Sequence, residues 1–442
     1  MKVAVVGAGW AGLAAALRLA DAGVALTLFD AAPVAGGRAR SSRLQTPLGS
    51  FTTDNGQHLI VGAYRESLSL IAGLDGAAPL RRVPLDLRAG NGLRLQAARL
   101  PAPLHLGVAL LGARGLGPGG RAAAVRLMLS LRLAGWRAAD GETVSALLHR
   151  LRQPPPLTDR LWAPLCIGAL NTPPDQACAT AFATVLRDTL GGPRSASDFV
   201  LVDAPLGALL PEPALARLRR AGAAVRLRCP VRRLERADAQ WRIGAEVFDE
   251  LLLALPPWSA AAVLEASGLR CGQLRDFEPE AIATGWALWP TDDAPALPRW
   301  CLLDEDPARQ AHGQWLFDRG VIQGRSDDGR SGTAARLAGI VISVAGQLES
   351  LPRAALADGL SRQLVQAFGG PPPAAVHVVT ERRATFRCTP QRPRLEVGHL
   401  REDGRGPWLA GDWLWPDYPA TLEAAVRSGQ HAADLMLARR PD

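Results

Sequence analysis

Lys2-Val3-Ala4-Val5-Val6-Gly7-Ala8-Gly9-Trp10-Ala11-Gly12-Leu13 begins the stretch, running on to Asp30, whose reading decides the fold. Lys2 to Val6 is a short apolar run of the kind that forms a buried strand. Leu13 to Ala22 reads as a helix, with Leu13, Leu17 and Ala20 on one face and Gly23 as its stop. Val24 to Phe29 is a second apolar strand that ends at Asp30. The three pieces make a βαβ opening with a glycine-rich turn at its first corner. Each residue of that turn has a physical task. Gly7 permits the tight turn, Gly9 lets the backbone approach a pyrophosphate, and Gly12 lets the helix pack on the sheet. Trp10 and Ala11 sit where the helix N-terminus presents partial positive charge to phosphate. Asp30 is placed to accept hydrogen bonds from a ribose diol, and its charge disfavours a 2′-phosphate there. The expected class is α/β, with a Rossmann-type dinucleotide domain.

Outward from this turn, the composition narrows the chemistry. The 442 residues correspond to roughly three units at about 150 residues per domain. Hydrophobic residues at 48% and charged residues at 21% describe a globular chain and exclude a disordered one. Of the 50 Lys+Arg residues, Lys2 is the one lysine and the rest are arginines, with a net charge of +8. Mechanisms that need a reactive lysine, such as pyridoxal-phosphate chemistry or a Walker P-loop, therefore have only Lys2 to use. A GC-rich genome is the plainest source of this skew, and a functional basic surface is the alternative. The six cysteines, at 166, 178, 229, 271, 301 and 388, show no C-x-x-C or zinc spacing. His105, His149, His312, His377, His399 and His431 are dispersed, so no metal is expected. Glycines 7, 9 and 12 interrupt the N-terminal apolar run, which reads as strand and turn and not as a signal peptide. No stretch of about 18 apolar residues occurs. A cytoplasmic protein is expected, at most peripheral on the inner face of the cell membrane.

Two further motifs separate a flavin dinucleotide from a nicotinamide one. Gly36-Gly37-Arg38, with Arg40 close behind, suits a loop that passes near a second phosphate or the flavin, where the arginine fork matches phosphate geometry. Near the C-terminus, the apolar run Trp408 to Gly411 precedes Asp412, which is placed to bind a ribityl chain. A helix starting near Thr421 and Leu422 aims its first N–H groups at an electron-rich acceptor such as the flavin C2 carbonyl and N1. Together, Gly7 to Gly12, Gly36-Gly37-Arg38 and Ala410-Gly411-Asp412 resemble the FAD-dependent amine oxidase and phytoene desaturase superfamily. That resemblance implies one FAD domain built from separated segments. It also implies a middle strand giving a backbone contact to the adenine, for which Cys229 to Leu234 has the matching look, with Val231 at the contact.

Asp54-Asn55-Gly56-Gln57-His58 is more particular and resembles the hydroxysqualene dehydroxylases of hopanoid synthesis. Gly313 to Gly320, Glu381 to Phe386 and Pro416 to Glu423 look like the same group, whereas 85–210 matches loosely. The residues agree with this at one place. Related amine oxidases generally use a lysine that holds water near the flavin, and this chain has none beyond Lys2. No cysteine lies near Gly411 to Thr421, so the FAD is expected to be non-covalent. The resemblance implies reductive removal of an allylic hydroxyl from hydroxysqualene, an isoprenoid lipid, to give squalene. Electrons would come from a donor such as NADPH or a reductase. Asp54, Gln57, His58 and Tyr418 are the polar residues expected near the flavin, with His58 or Tyr418 as acid and Asp54 orienting His58 or offsetting cationic charge. The plainer reading is that Asp54 and His58 only brace a tight loop and that Gly56-Gln57 packs on the flavin. A carotenoid-type desaturase and a non-catalytic flavin-binding lipid carrier stay open as alternatives.

The FAD domain is expected from 1–85, 205–270 and 395–442, and an α+β substrate domain from 86–204, more helical, and 271–394, more strand-rich. Between Leu100 and Leu151, six arginines are interspersed with Leu, Val and Ala. A basic amphipathic helix here would suit an anionic membrane surface, or would simply cover the substrate domain. The arginines do not cluster with stacking aromatics, and no nucleic-acid partner is expected.

Overall fold

The computed structural model describes residues 1–102, 104–237, 240–325, 331–401 and 404–439. All the candidate site residues fall inside these ranges. Its first sheet grows from the βαβ opening: β1 (Lys2–Val6), α1 (Trp10–Asp21) and β2 (Ala25–Phe29). β1 and β2 run parallel, with Val5 opposite Leu28. Three segments distant in sequence complete a five-stranded parallel sheet in the order Ala224–Arg226, β2, β1, Glu250–Leu253, Trp408–Leu409. Both faces of this sheet are covered, so its strands are continuous apolar runs without alternation. Val3, Ala4, Val5, Leu28, Leu251, Leu252 and Leu253 are all essentially inaccessible to solvent.

Gly7 and Gly12 allow the tight turn and the close helix–sheet packing that the sequence assigns them. Gly7 has φ +109°, and a Cβ there would lie 2.3 Å from the Ala254 carbonyl oxygen. A Cβ on Gly12 would lie 1.8 Å from the Gly7 carbonyl oxygen, so α1 reaches the sheet only because that atom is absent. The C-terminal helix Leu422–Ala438 closes the same layer. Its Gly429 approaches the Ala11 carbonyl to where a Cβ would sit 2.1 Å away. Thr421 caps this helix through its hydroxyl, which accepts from the Ala424 amide at 3.1 Å.

A second sheet is antiparallel and larger, in the order Ala375–Phe386, Pro279–Pro290, Ser331–Ser343, Trp315–Arg325, Gly49–Asp54, Ser41–Thr46, with Trp300–Leu302 pairing to Trp315–Arg325. The hairpin Ser41–Asp54, early in the chain, thus joins strands from beyond residue 279. Between the two sheets in sequence lies the helical part: Leu104–Leu111, Pro118–Leu133, Val144–Arg150, Ala163–Leu170 and Ala179–Thr189. It begins with a small hairpin, Asp86–Arg88 with Arg94–Gln96, and ends with the strand Phe199–Val202. The architecture is the expected α/β type, a discontinuous Rossmann-like sheet with inserted antiparallel sheets.

Candidate active site

One cavity of about 820 Å³ runs from the glycine-rich turn, between the sheets, to the inner side of the helical part. Its dinucleotide end is built by two glycine turns brought together by the fold. Gly36 N donates to the Ala8 carbonyl at 2.8 Å, and Gly9 and Gly36 form an isolated parallel bridge. Gly37, at φ +61°, comes so near that a Cβ would meet the Gly9 Cα at 3.1 Å. Asp30 braces the corner, accepting from Ala8 N at 2.6 Å and Ala32 N at 2.7 Å. Arg38 donates to the Ala384 carbonyl at 2.8 Å and pairs with Asp412 at 2.7 Å. This ion pair ties the second turn to the last strand and to the antiparallel sheet.

The expected cofactor residues Gly7, Gly9, Trp10, Ala11, Asp30, Gly36, Gly37, Arg38, Gly56, Gln57, Gly411, Asp412, Thr421 and Leu422 all line this cavity. Gly12 lies just behind it, in the helix–sheet contact described above. The segment Cys229 to Leu234 is not the strand that the sequence suggests. The strand that extends the parallel sheet is Ala224–Arg226, and Arg228 at φ +54° ends the extended run. Cys229 N donates to the Asp30 carbonyl at 2.8 Å, after which Pro230, having no N–H, offers the ladder nothing. Val231 therefore lies in irregular chain beyond Asp30 and outside the cavity lining.

These residues fit a flavin dinucleotide. The paired glycine turns make a cradle that side chains would fill. The amides of Leu422 and Glu423, first in the C-terminal helix, have no intrahelical acceptor, and Leu422 lines the cavity. No cysteine lines the cavity, so no thiol is placed for a covalent bond to it. Lys2 stands elsewhere, paired with Glu246 at 3.3 Å and over the Phe248 ring.

Beyond the dinucleotide end, His58 and Tyr418 both line the cavity. The His58 Nδ1 lies 2.8 Å from the Gly56 carbonyl, which makes it the protonated nitrogen and leaves Nε2 as an acceptor. Burial holds its pKa below the ordinary histidine value, and Arg319 and Arg38 add to the effect. Gln57 is fixed by its backbone N on the Thr284 hydroxyl and by its Nε2 on the His58 carbonyl. Its buried Oε1 has no partner among the described residues.

Asp54 is placed differently from the expectation. Its carboxylate accepts from Leu206 N at 2.8 Å and faces Ser41, on the side away from the cavity. Burial pushes its pKa up to about 6, against the Leu206 hydrogen bond and the charge of Arg319. It does not orient His58, whose ring is held by Gly56. The physical reason is local: the Leu206 amide and Ser41 hold the Asp54 carboxylate at the strand's end, while His58 lies in the loop beyond it.

The sequence reading missed Asp188. It lines the cavity from the helix Ala179–Thr189 and accepts the hydrogen bond of the Tyr418 hydroxyl. Arg187 pairs with the same carboxylate at 2.6 Å, and the Arg427 guanidinium lies 5.3 Å from the Tyr418 ring centre. Burial and the Asp188 contact raise the Tyr418 pKa, while Arg427 and Arg187 pull it back. Nothing in the loosely matched stretch around Asp188 marks it. The far end of the cavity is apolar and aromatic, with Leu85, Leu87, Leu95, Phe182, Phe199 and the stacked pair Trp315 and Phe317.

Comparison with known proteins gives the same picture over the whole chain. Residues 10–437 match the flavin containing amine oxidoreductase family. The chain is 32% identical over 459 residues to hydroxysqualene dehydroxylase of Rhodopseudomonas palustris, covering 99% of this chain and 98% of that one. It is 27% identical over 470 residues to the carotenoid phi-ring synthase of Streptomyces griseus, covering 99% and 88%. Among solved structures, cyclohexylamine oxidase from Brevibacterium oxydans superposes with a TM-score of 0.68 at 20% identity over 99% of each chain, a likeness of fold.

Proposed function

This chain belongs to the flavin containing amine oxidoreductases, and from that premise we propose that it removes the allylic hydroxyl of hydroxysqualene reductively, giving squalene. Membership makes it a flavin-dependent oxidoreductase with non-covalent FAD, and sets aside the passive lipid carrier. The observation that carries the reading is the shape of the site. A dinucleotide cradle without a nearby lysine opens into a chamber lined by leucines and aromatic rings, suited to a long hydrocarbon.

The overall change breaks one C–O bond and forms one C–H bond. A hydride and a proton enter, and water leaves. The hydride would come from FAD held by the two glycine turns and the C-terminal helix, with electrons drawn from a donor such as NADPH or a reductase. The protein's own part is to hold the polyene, deliver the proton and stabilise the allylic cation. Tyr418 is the proton donor in this reading, turning its hydroxyl from Asp188 to the departing oxygen. Arg427 and Arg187 offset only part of the effect of burial and Asp188, which hold the hydroxyl protonated until the substrate oxygen draws its proton. Neutral His58, with Nε2 as acceptor, orients the substrate hydroxyl. Trp315 and Phe317 line the cavity and supply aromatic rings that can stabilise developing positive charge. A C30 isoprenoid is held in a bilayer, so peripheral membrane contact belongs to this reading.

Purified enzyme incubated with hydroxysqualene under anaerobic conditions tests the proposal. Squalene should form only when a reductant is present. The likeness to a carotenoid ring synthase keeps one rival, a desaturase of a related isoprenoid. A more conjugated polyene formed with an electron acceptor, and no squalene, would establish that rival in place of the dehydroxylase.

A further inference from the structure

We propose that the two helices Leu104–Leu111 and Pro118–Leu133 form the surface by which this protein docks on an anionic lipid bilayer, directly over the apolar end of its cavity. Nine large hydrophobic side chains are exposed among the described residues, and six lie in this one place: Leu100, Leu104, Val108, Leu111, Leu129 and Leu133. Their spacing is that of helix faces. Leu104, Val108 and Leu111 line the outer side of the first helix, while His105, Leu106, Ala109 and Leu110 are buried on its inner side. Leu129 and Leu133 stand on the outer side of the second helix, opposite buried Ala123, Ala124, Leu127 and Leu131. Leu133 is 89% exposed, which a helix facing only water gains nothing by keeping apolar.

The charge around this patch selects its partner. From Leu87 to Ala139 the chain contains no Asp or Glu and eight arginines. Arg99, Arg114, Arg126, Arg132 and Arg137 are exposed there. Arg88 and Arg94 are paired with Asp86, but the exposed arginines leave an excess of positive charge, and an apolar stripe so flanked complements a surface with an apolar interior and anionic headgroups. No helix among the described residues is long and apolar enough to cross a membrane, so the contact is peripheral.

The position gives the surface a purpose. The first helix packs on the strand Arg94–Gln96, and Ala98 N donates to the His105 carbonyl at 3.1 Å. Leu95 of that strand and Leu87 of its partner line the cavity on their other side. A lipid leaving the bilayer beneath these helices thus meets the apolar end of the cavity with little water between. This delivery role rests on the proposed isoprenoid substrate, whereas the docking itself does not.

Co-sedimentation of the full-length holoprotein with phosphatidylcholine vesicles, with and without phosphatidylglycerol, tests the docking. The protein should sediment with the anionic vesicles and be released by high salt. Leu104→Ser with Leu111→Ser, or Leu129→Ser with Leu133→Ser, should weaken partitioning by about tenfold or more. These positions are exposed, and unchanged FAD content verifies the fold of each variant. Absence of vesicle binding, or binding that the variants do not weaken, overturns the proposal. A dimer that forms without lipid and is lost in the variants also overturns it, assigning the face to a second copy. For delivery, the variants should slow turnover of vesicle-borne hydroxysqualene about tenfold while sparing turnover in detergent micelles. Equal turnover in both would separate docking from delivery, and no squalene from any form would count against the substrate alone.

Discussion

Tyr418 is where the proposed chemistry becomes most specific, because its hydroxyl, Asp188, Arg187 and Arg427 converge from two helices and a loop. Removing the hydroxyl in Tyr418→Phe should lower dehydroxylation about a hundredfold, the scale of a lost general acid, while the FAD spectrum stays unchanged. Asp188→Asn keeps the size and alters the charge. As a positioning residue it should shift the pH–rate profile and cost less, about tenfold. Steady-state turnover measured across pH on FAD-replete protein checks both. Near-normal turnover in both Tyr418→Phe and His58→Ala would sink the assignment of this corner. Sequence alone made Tyr418 visible through its neighbours Pro419 to Glu423. Asp188 was invisible, since an acid at the end of an amphipathic helix looks like any solvated charge.

At the scale of elements, the clearest device is the buried histidine on the inner side of the helix Leu104–Leu111. His105 is fully buried, and neither ring nitrogen has a partner among the described residues. Burial lowers its pKa from 6.5, and nearby Arg194 and Asp198 act in opposite directions. The folded state thus binds its proton less readily than the unfolded chain does. The stability this histidine permits is present in full above about pH 6.5 and falls as pH drops below it. His105→Leu should be more stable by about 1 kcal/mol at pH 7, with a wider margin at pH 5, in denaturant titrations. A margin that does not grow toward pH 5 would contradict this. Another element-level feature escaped the sequence. Buried Glu423 accepts from the Glu66 and Ser67 amides at 3.0 and 2.9 Å and from Arg427 at 2.8 Å, pinning the C-terminal helix to the start of the helix Arg65–Ala72. It fixes the direction in which the Leu422 end faces the cavity.

Taken as a whole molecule, the proposed cofactor site draws on the opening βαβ unit, the Gly36–Arg38 turn, the loop at Gly56 and the last helix, which line one cavity, so binding and folding are expected to be coupled. Added FAD should raise stability by about 2.7 kcal/mol at a hundredfold excess over its dissociation constant. Acid precipitation should release all of the flavin into the supernatant, as absorbance will show. Flavin retained on the pellet would contradict non-covalent binding. The sequence by itself determined the parallel sheet, its glycine turn, Asp30 and the helix start at Thr421, because those are local: strand, turn and cap are decided by neighbours a few residues apart. Tertiary structure alone decided that Gly37 would rest against Gly9, that Asp54 would face away from His58, and that Val231 would fall beyond the strand. It also decided that Asp188 would meet Tyr418 from 230 residues away. These depend on how separated segments pack, which side a strand's last residue faces, and which buried polar groups find partners. No window of sequence contains both halves of such a contact.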